Sequence, residues 1–185
     1  MTPEEFSNKL QAAIPELKTY VQSEFPRRAA KMGVDHFKEN LRKGGFVNGG
    51  LKPWPKSKRQ KNAEGKGAAA NYGTLLSARL ELFNSIVGRA SNAQAIISTD
   101  KPYAKIQNEG GTIQHPGGTA YFPKNGKAIF VKNETADRYQ SLHLQALKRT
   151  KPHAITIPAR PFIGPNLELT DDLRTDVERK LRTLL

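Results

Sequence analysis

The chain has 185 residues, no cysteine and a formal net charge of +13. That length suits a single domain, 1–185, with a core that needs no disulfide or metal staple, and the missing cysteine excludes disulfides, cysteine nucleophiles and thiolate metal sites. The charge asks for an acidic partner, whether nucleic acid, an anionic membrane surface or an acidic protein face.

The start, Met1-Thr2-Pro3-Glu4-Glu5, carries acids and lacks the basic opening and apolar run of a secretory signal. No apolar run approaches the ~20 residues that cross a bilayer, so a soluble protein with no membrane partner is expected. Thr2, Pro3 and Glu5 make a helix start: a cap, a proline at the first helical position and the closing residue of a capping box. Phe6, Leu10, Ile14, Leu17 and Val21 then recur at helical spacing, with Pro15 placed to kink or break the helix. A second helix is expected after Pro26, with Ala29, Ala30, Phe37 and Leu41 on one face, stopping at Gly44-Gly45.

Residues 47–72 show no sustained period and read as a mobile basic loop, functional or disordered. Between Phe37 and Lys66 nine basic residues stand against two acids. From Thr74, the residues Leu75, Leu76, Leu80, Phe83 and Ile86 predict a helix ending near Gly88. Short strands are expected at 95–98, 128–131 and 154–157, and a helical turn at 103–106. Asn125-Gly126 signals a hairpin that pairs Tyr121-Phe122 with Ile129-Phe130. Residues 134–149 are mixed. Thr170 is read as the cap of a last helix, with Asp171 and Asp172 in its first turn and Leu173, Val177, Leu181 and Leu184 on one face. The fold class is α+β: N-terminal helices, a long basic loop, a small mostly antiparallel sheet and a C-terminal helix.

The histidines, His36, His115, His143 and His153, lack metal-site spacing, and no metalloprotease, phosphate-loop, nucleophile-elbow or dinucleotide motif is present. Gly110-Gly111 and Gly117-Gly118 flank His115-Pro116 without opening a helix, so turns are expected there. Glu109 and His115 offer an acid and a base, but no convergent chemistry accompanies them. The chain is therefore read as a non-enzyme with no cofactor.

Three segments carry the functional signal. The first is a lone tryptophan in a basic, proline-rich stretch, Pro53-Trp54-Pro55-Lys56-Ser57-Lys58-Arg59, with Lys61 just beyond. The second is Tyr103-Ala104-Lys105-Ile106-Gln107-Asn108-Glu109-Gly110-Gly111, preceded by Ser85-Ile86 at the end of the leucine-rich helix. The third is Ile157-Pro158-Ala159-Arg160-Pro161-Phe162-Ile163-Gly164, just before the last helix. In this order they resemble the phage virion morphogenesis family, the tail completion proteins of Mu-like and related tailed phages. Gln107-Asn108 departs from that family's usual His-Gln. Residues 112–151 look like an insertion relative to short members, and nothing is carried onto them.

The resemblance implies a structural tail completion or head–tail joining protein, present in the virion and in the host cytoplasm during assembly. It implies a homo-oligomeric ring, with tail or portal proteins as partners. Candidate interface residues are Trp54, Lys56, Lys58, Arg59, Lys61, Tyr103, Arg160 and Phe162. Several have internal readings: Trp54 closing a loop over the core, Phe162 within it, and Arg160, held extended between two prolines, clamping either an internal carboxylate or a neighbouring subunit. The alternative is a basic nucleic-acid-binding protein, with non-specific DNA contact and Trp54 as a stacking aromatic among lysines.

Overall fold

The computed structural model describes residues 2–62, 71–124, 127–131 and 148–184. The fold is α+β, and its chain divides into two compact units: residues 1–109 with 159–185, and residues 110–158. The strands form several small antiparallel sheets rather than one.

In the first unit, α1 (Pro3–Thr19) starts as the sequence predicts: Thr2 Oγ1 accepts from the Glu5 amide at 3.2 Å while the Glu5 carboxylate accepts from the Thr2 amide at 2.7 Å. The expected break at Pro15 does not occur. Pro15 deprives only the carbonyl of Gln11, and on this exposed helix that carbonyl can bond to water. The irregularity comes later, as a π-helical segment at Tyr20–Glu24 before α2 (Phe25–Lys43). Pro26 leaves the Gln22 carbonyl without its helical donor, and the amide of Ala93 fills the vacancy at 3.2 Å. The apolar stripe of α1 is not buried: Phe6 is 46% exposed, and Leu10 and Ile14 are also open. Helix α2 buries Ala29, Ala30, Phe37 and Leu41 as expected and ends on left-handed Gly44 at φ 66°.

Residues 47–72 are not a loop without regular structure. Strands β1 (Gly45–Val47) and β2 (Leu51–Pro53) form a hairpin, and α3 (Lys58–Asn62) follows. The alternation is too short and too exposed to register as a period. Residues 63–70 of that stretch lie outside the described residues. The helix predicted from Thr74 shrinks to α4 (Glu81–Ser85), because Leu80 at its start adopts a left-handed backbone at φ 50°.

Strands β3 (Val87–Ser91) and β4 (Gln94–Ser98) pair and lie on α2. Gly88 permits the contact, since a Cβ there would stand 2.8 Å from the Ala30 carbonyl oxygen. At the tip of this hairpin Ala93 holds φ 57°. Ala93→Gly is expected to stabilise by up to about 1 kcal/mol, the steric cost of a left-handed alanine less the extra chain entropy of glycine. A urea midpoint below that of the wild type would refute this.

Helix α5 (Ala104–Glu109) and the last helix, α6 (Leu167–Leu184), complete the unit. Its core gathers Leu41, Trp54, Leu82, Ile86, Ala104 and Phe162. The cap of α6 is Asn166, whose Oδ1 accepts from the Leu169 amide at 2.9 Å, and not Thr170, whose hydroxyl donates to the Asn166 carbonyl within the helix.

In the second unit, β5 (Gly111–His115) pairs antiparallel with β9 (His153–Ile157). The His115 and His153 rings stack across them at 4.9 Å. Part of the glycine-flanked stretch read as turns is therefore strand. A further sheet has the order β7-β6-β8, from β6 (Ala120–Lys124), β7 (Lys127–Phe130) and β8 (Lys148–Arg149). Tyr121 pairs with Phe130 and Phe122 with Ile129, the predicted hairpin register. The mixed stretch at 134–149 lies outside the described residues except for its end at β8.

Candidate functional site

The three signal segments meet in the first unit. The β1–β2 hairpin delivers Trp54, whose amide donates to the Gly44 carbonyl at 2.9 Å, so the ring enters the core directly after the strand. Trp54 is 7% exposed, and its indole Nε1 donates to the Pro161 carbonyl at 3.1 Å. This bond joins the first segment to the third.

The third segment also closes the second. Helix α5 ends with carbonyls that need donors, and the Arg160 amide supplies one to Gln107 at 2.8 Å. Asn108 Oδ1 then accepts from the amides of Phe162 at 2.8 Å and Ile163 at 3.0 Å. On the other side, Asn40 Nδ2 donates to the Phe162 carbonyl at 3.2 Å, while Asn40 Oδ1 accepts from the Val47 amide at 3.0 Å. Phe162, 1% exposed, is therefore held by its ring in the core and by both backbone groups. The hairpin tip is tied to α6 as well: Asn166 Nδ2 donates to the Val47 carbonyl, Asn48 Oδ1 accepts from the Leu167 amide at 2.9 Å, and the Gly49 amide donates to Glu168 at 2.9 Å.

Arg160 is 7% exposed. Its Nε donates to the Pro55 carbonyl at 3.2 Å and its Nη1 to Gln107 Oε1 at 3.3 Å. No ion pair reaches it among the described residues, so the internal carboxylate clamp is replaced by a carbonyl and an amide. Burial lowers the pKa of its guanidinium.

The other candidates divide. Arg59 works inward: its Nη2 donates to the carbonyls of Gly73 at 3.0 Å and Leu76 at 3.3 Å, and its guanidinium lies 5.7 Å from the Tyr72 ring centre. Lys56, Lys58 and Lys61 are exposed, as is Tyr103. Asn40, Asn108 and Asn166 carry the bracing and were not singled out from sequence. Asn108 had a signal, standing at the family-like position beside Gln107, but a side chain that bonds distant backbone leaves no periodic trace.

Among the described residues, no group of three or more His, Asp or Glu side chains is placed to hold a metal ion, and no helix is long and apolar enough to cross a membrane. The sequence pattern of the phage virion morphogenesis family matches residues 48–184, a span that contains all three braced segments. The chain belongs to that family, and its role lies in building phage particles. Neither the curated proteins nor the solved structures contain a match to it.

Proposed function

We propose that this protein is a tail completion or head–tail joining component that works as a homo-oligomeric ring or collar on tail or portal proteins. The observation that carries this reading is the family match over 48–184, whose most specific segment, Pro158 to Phe162, is built as a structural brace. Two surface features support assembly. Helix α1 presents Phe6, Leu10 and Ile14 to solvent along one stripe, as an interface does before its partner arrives. Lys56, Lys58 and Lys61 stand exposed on a chain of net charge +13, which suits an acidic protein face. The nucleic-acid alternative loses its stacking aromatic, because Trp54 is enclosed and its indole N–H is bonded internally.

A ring needs only weak contacts per subunit, since closed symmetry multiplies them. The purified protein is then monomeric at low concentration and oligomeric at high concentration or on its partner. A phage lacking the gene is expected to make DNA-filled heads and separate tails, or tails of faulty length, with few joined particles. Purified protein added to that lysate should raise the infectious titre at least tenfold. A mutant that stalls in DNA replication or packaging while its particles join normally would overturn the reading.

A further inference from the structure

Beside the brace, in the same unit, lies a pocket of about 390 Å³ whose wall includes Arg160, Gln107, Tyr103, Ser77 and Leu75. Arg160 has two neutral acceptors and no carboxylate among the described residues. The one described side-chain atom sealed from solvent without a partner is His36 Nε2, so the unbonded Nη2 of Arg160 keeps some access to solvent. Arg160 lines this pocket. The acid on the wall, Glu81, lies 3.9 Å from Arg79 and makes no ion pair with Arg160. Arg59 adds a second guanidinium to the same wall. A nearly buried arginine is costly unless its charge is answered, and its planar fork matches a carboxylate in bidentate geometry.

We propose that this pocket receives a glutamate or aspartate side chain from an acidic segment of a different protein of the particle. The leucines on the wall, Leu75, Leu76 and Leu82, suit the apolar flanks of a peptide, and a recess this small does not follow a nucleic-acid backbone over several nucleotides. A different protein is favoured as donor because acids are the minority on this chain, 17 against 30 basic residues. The inference rests on the assembly reading only for where the partner is found.

The test is a titration of the full 15N-labelled protein, following the arginine Nε–H resonances by NMR. The probe is the peptide acetyl-Leu-Glu-Leu-amide, compared with acetyl-Leu-Gln-Leu-amide and inorganic phosphate. The Arg160 signal is expected to move saturably with the glutamate peptide, at an affinity at least tenfold above either comparison. Because Arg160 also braces the fold, Ser77→Trp is the second variant. Ser77 is exposed on the pocket wall, so the substitution should abolish the response with the melting temperature unchanged. An unmoved Arg160 signal, an equal response to the glutamine peptide or to phosphate, or binding that survives both Ser77→Trp and Arg160→Lys overturns the proposal. Failure here leaves the lysate complementation intact, and failure of that complementation leaves the titration intact, so the two readings fall separately.

Discussion

Asp176→Ala is expected to destabilise the first unit by roughly 2–4 kcal/mol, through loss of a charged hydrogen-bond set on a buried carboxylate. Asp176 is 5% exposed in the middle of α6, where its Oδ2 accepts from the Tyr20 hydroxyl at 2.9 Å and from Arg28 Nε at 2.7 Å. Its Oδ1 takes a second bond from Arg28, and Arg179 stands 3.5 Å away. This one side chain ties the C-terminal helix to α2 and to the π-helical segment. Its removal leaves the buried Tyr20 hydroxyl without its acceptor, while Arg28, about half exposed, recovers part of its solvation. The lower part of the range follows from that recovery. Equal urea midpoints for the variant and the wild type would refute the assignment.

The same cluster sets a pH window with two sides. The Arg28 hydrogen bonds hold the Asp176 carboxyl below its ordinary range, against the opposing effect of burial. A folded pKa below the unfolded one gives stability that is complete above the unfolded value, about 4, and is lost as pH falls through the folded one. Burial first, then the bond to Asp176, pushes the Tyr20 hydroxyl up to about 12. A raised tyrosine pKa gives stability that is complete below about 10 and is lost as pH rises toward the folded value. The penalty of Asp176→Ala should therefore be constant near neutrality and shrink in acid. In urea melts at rising pH, Tyr20→Phe should lack the part of the alkaline loss that Tyr20 causes.

The elements legible in the sequence are those whose burial leaves a period. Helix α2 shows Ala29, Ala30, Phe37 and Leu41 on one face, the run at 154–157 marks β9 without its partner, and the Asn125-Gly126 signal places the β6–β7 pairing. The missed strands lack such a trace: β3 is exposed along its whole length and contains Gly88 where a side chain would collide with α2. The stripe of α1 is legible as amphipathic, but period alone does not say what covers it, and Phe6, Leu10 and Ile14 stay exposed. Asp176 could have been noticed, since it lies beside Val177 on the inward side of α6, where an acid needs partners. Those partners, Tyr20 and Arg28, are roughly 150 residues away in sequence. The brace was legible as three segments but not as one object. What joins them are single bonds from indole, asparagine and backbone groups, which follow from the folded path and not from composition.

That distinction between brace and surface gives the other large effect. Trp54→Ala is expected to cost roughly 3–5 kcal/mol for the emptied ring site, and about 1–3 kcal/mol more if the Pro161 carbonyl stays unpaired. Against a total of about 5–15 kcal/mol for an ordinary domain, this brings the first unit close to unfolding at ambient temperature. Trp54→Phe should fall between, keeping most of the buried area while losing the indole donor. The combined variant Lys56→Ala, Lys58→Ala, Lys61→Ala alters only exposed side chains beside the same segment, and each change should shift stability by no more than about 0.5 kcal/mol. Its effect should appear instead as a lower titre in the lysate complementation. Urea melts and complementation titres of the same three proteins separate the roles. If Trp54→Ala melts like the wild type yet fails to join particles, the indole acts on a partner and the brace is misassigned. If the lysine variant complements fully, the basic residues near Trp54 have no part in joining, and the exposed stripe of α1 becomes the surface to test next.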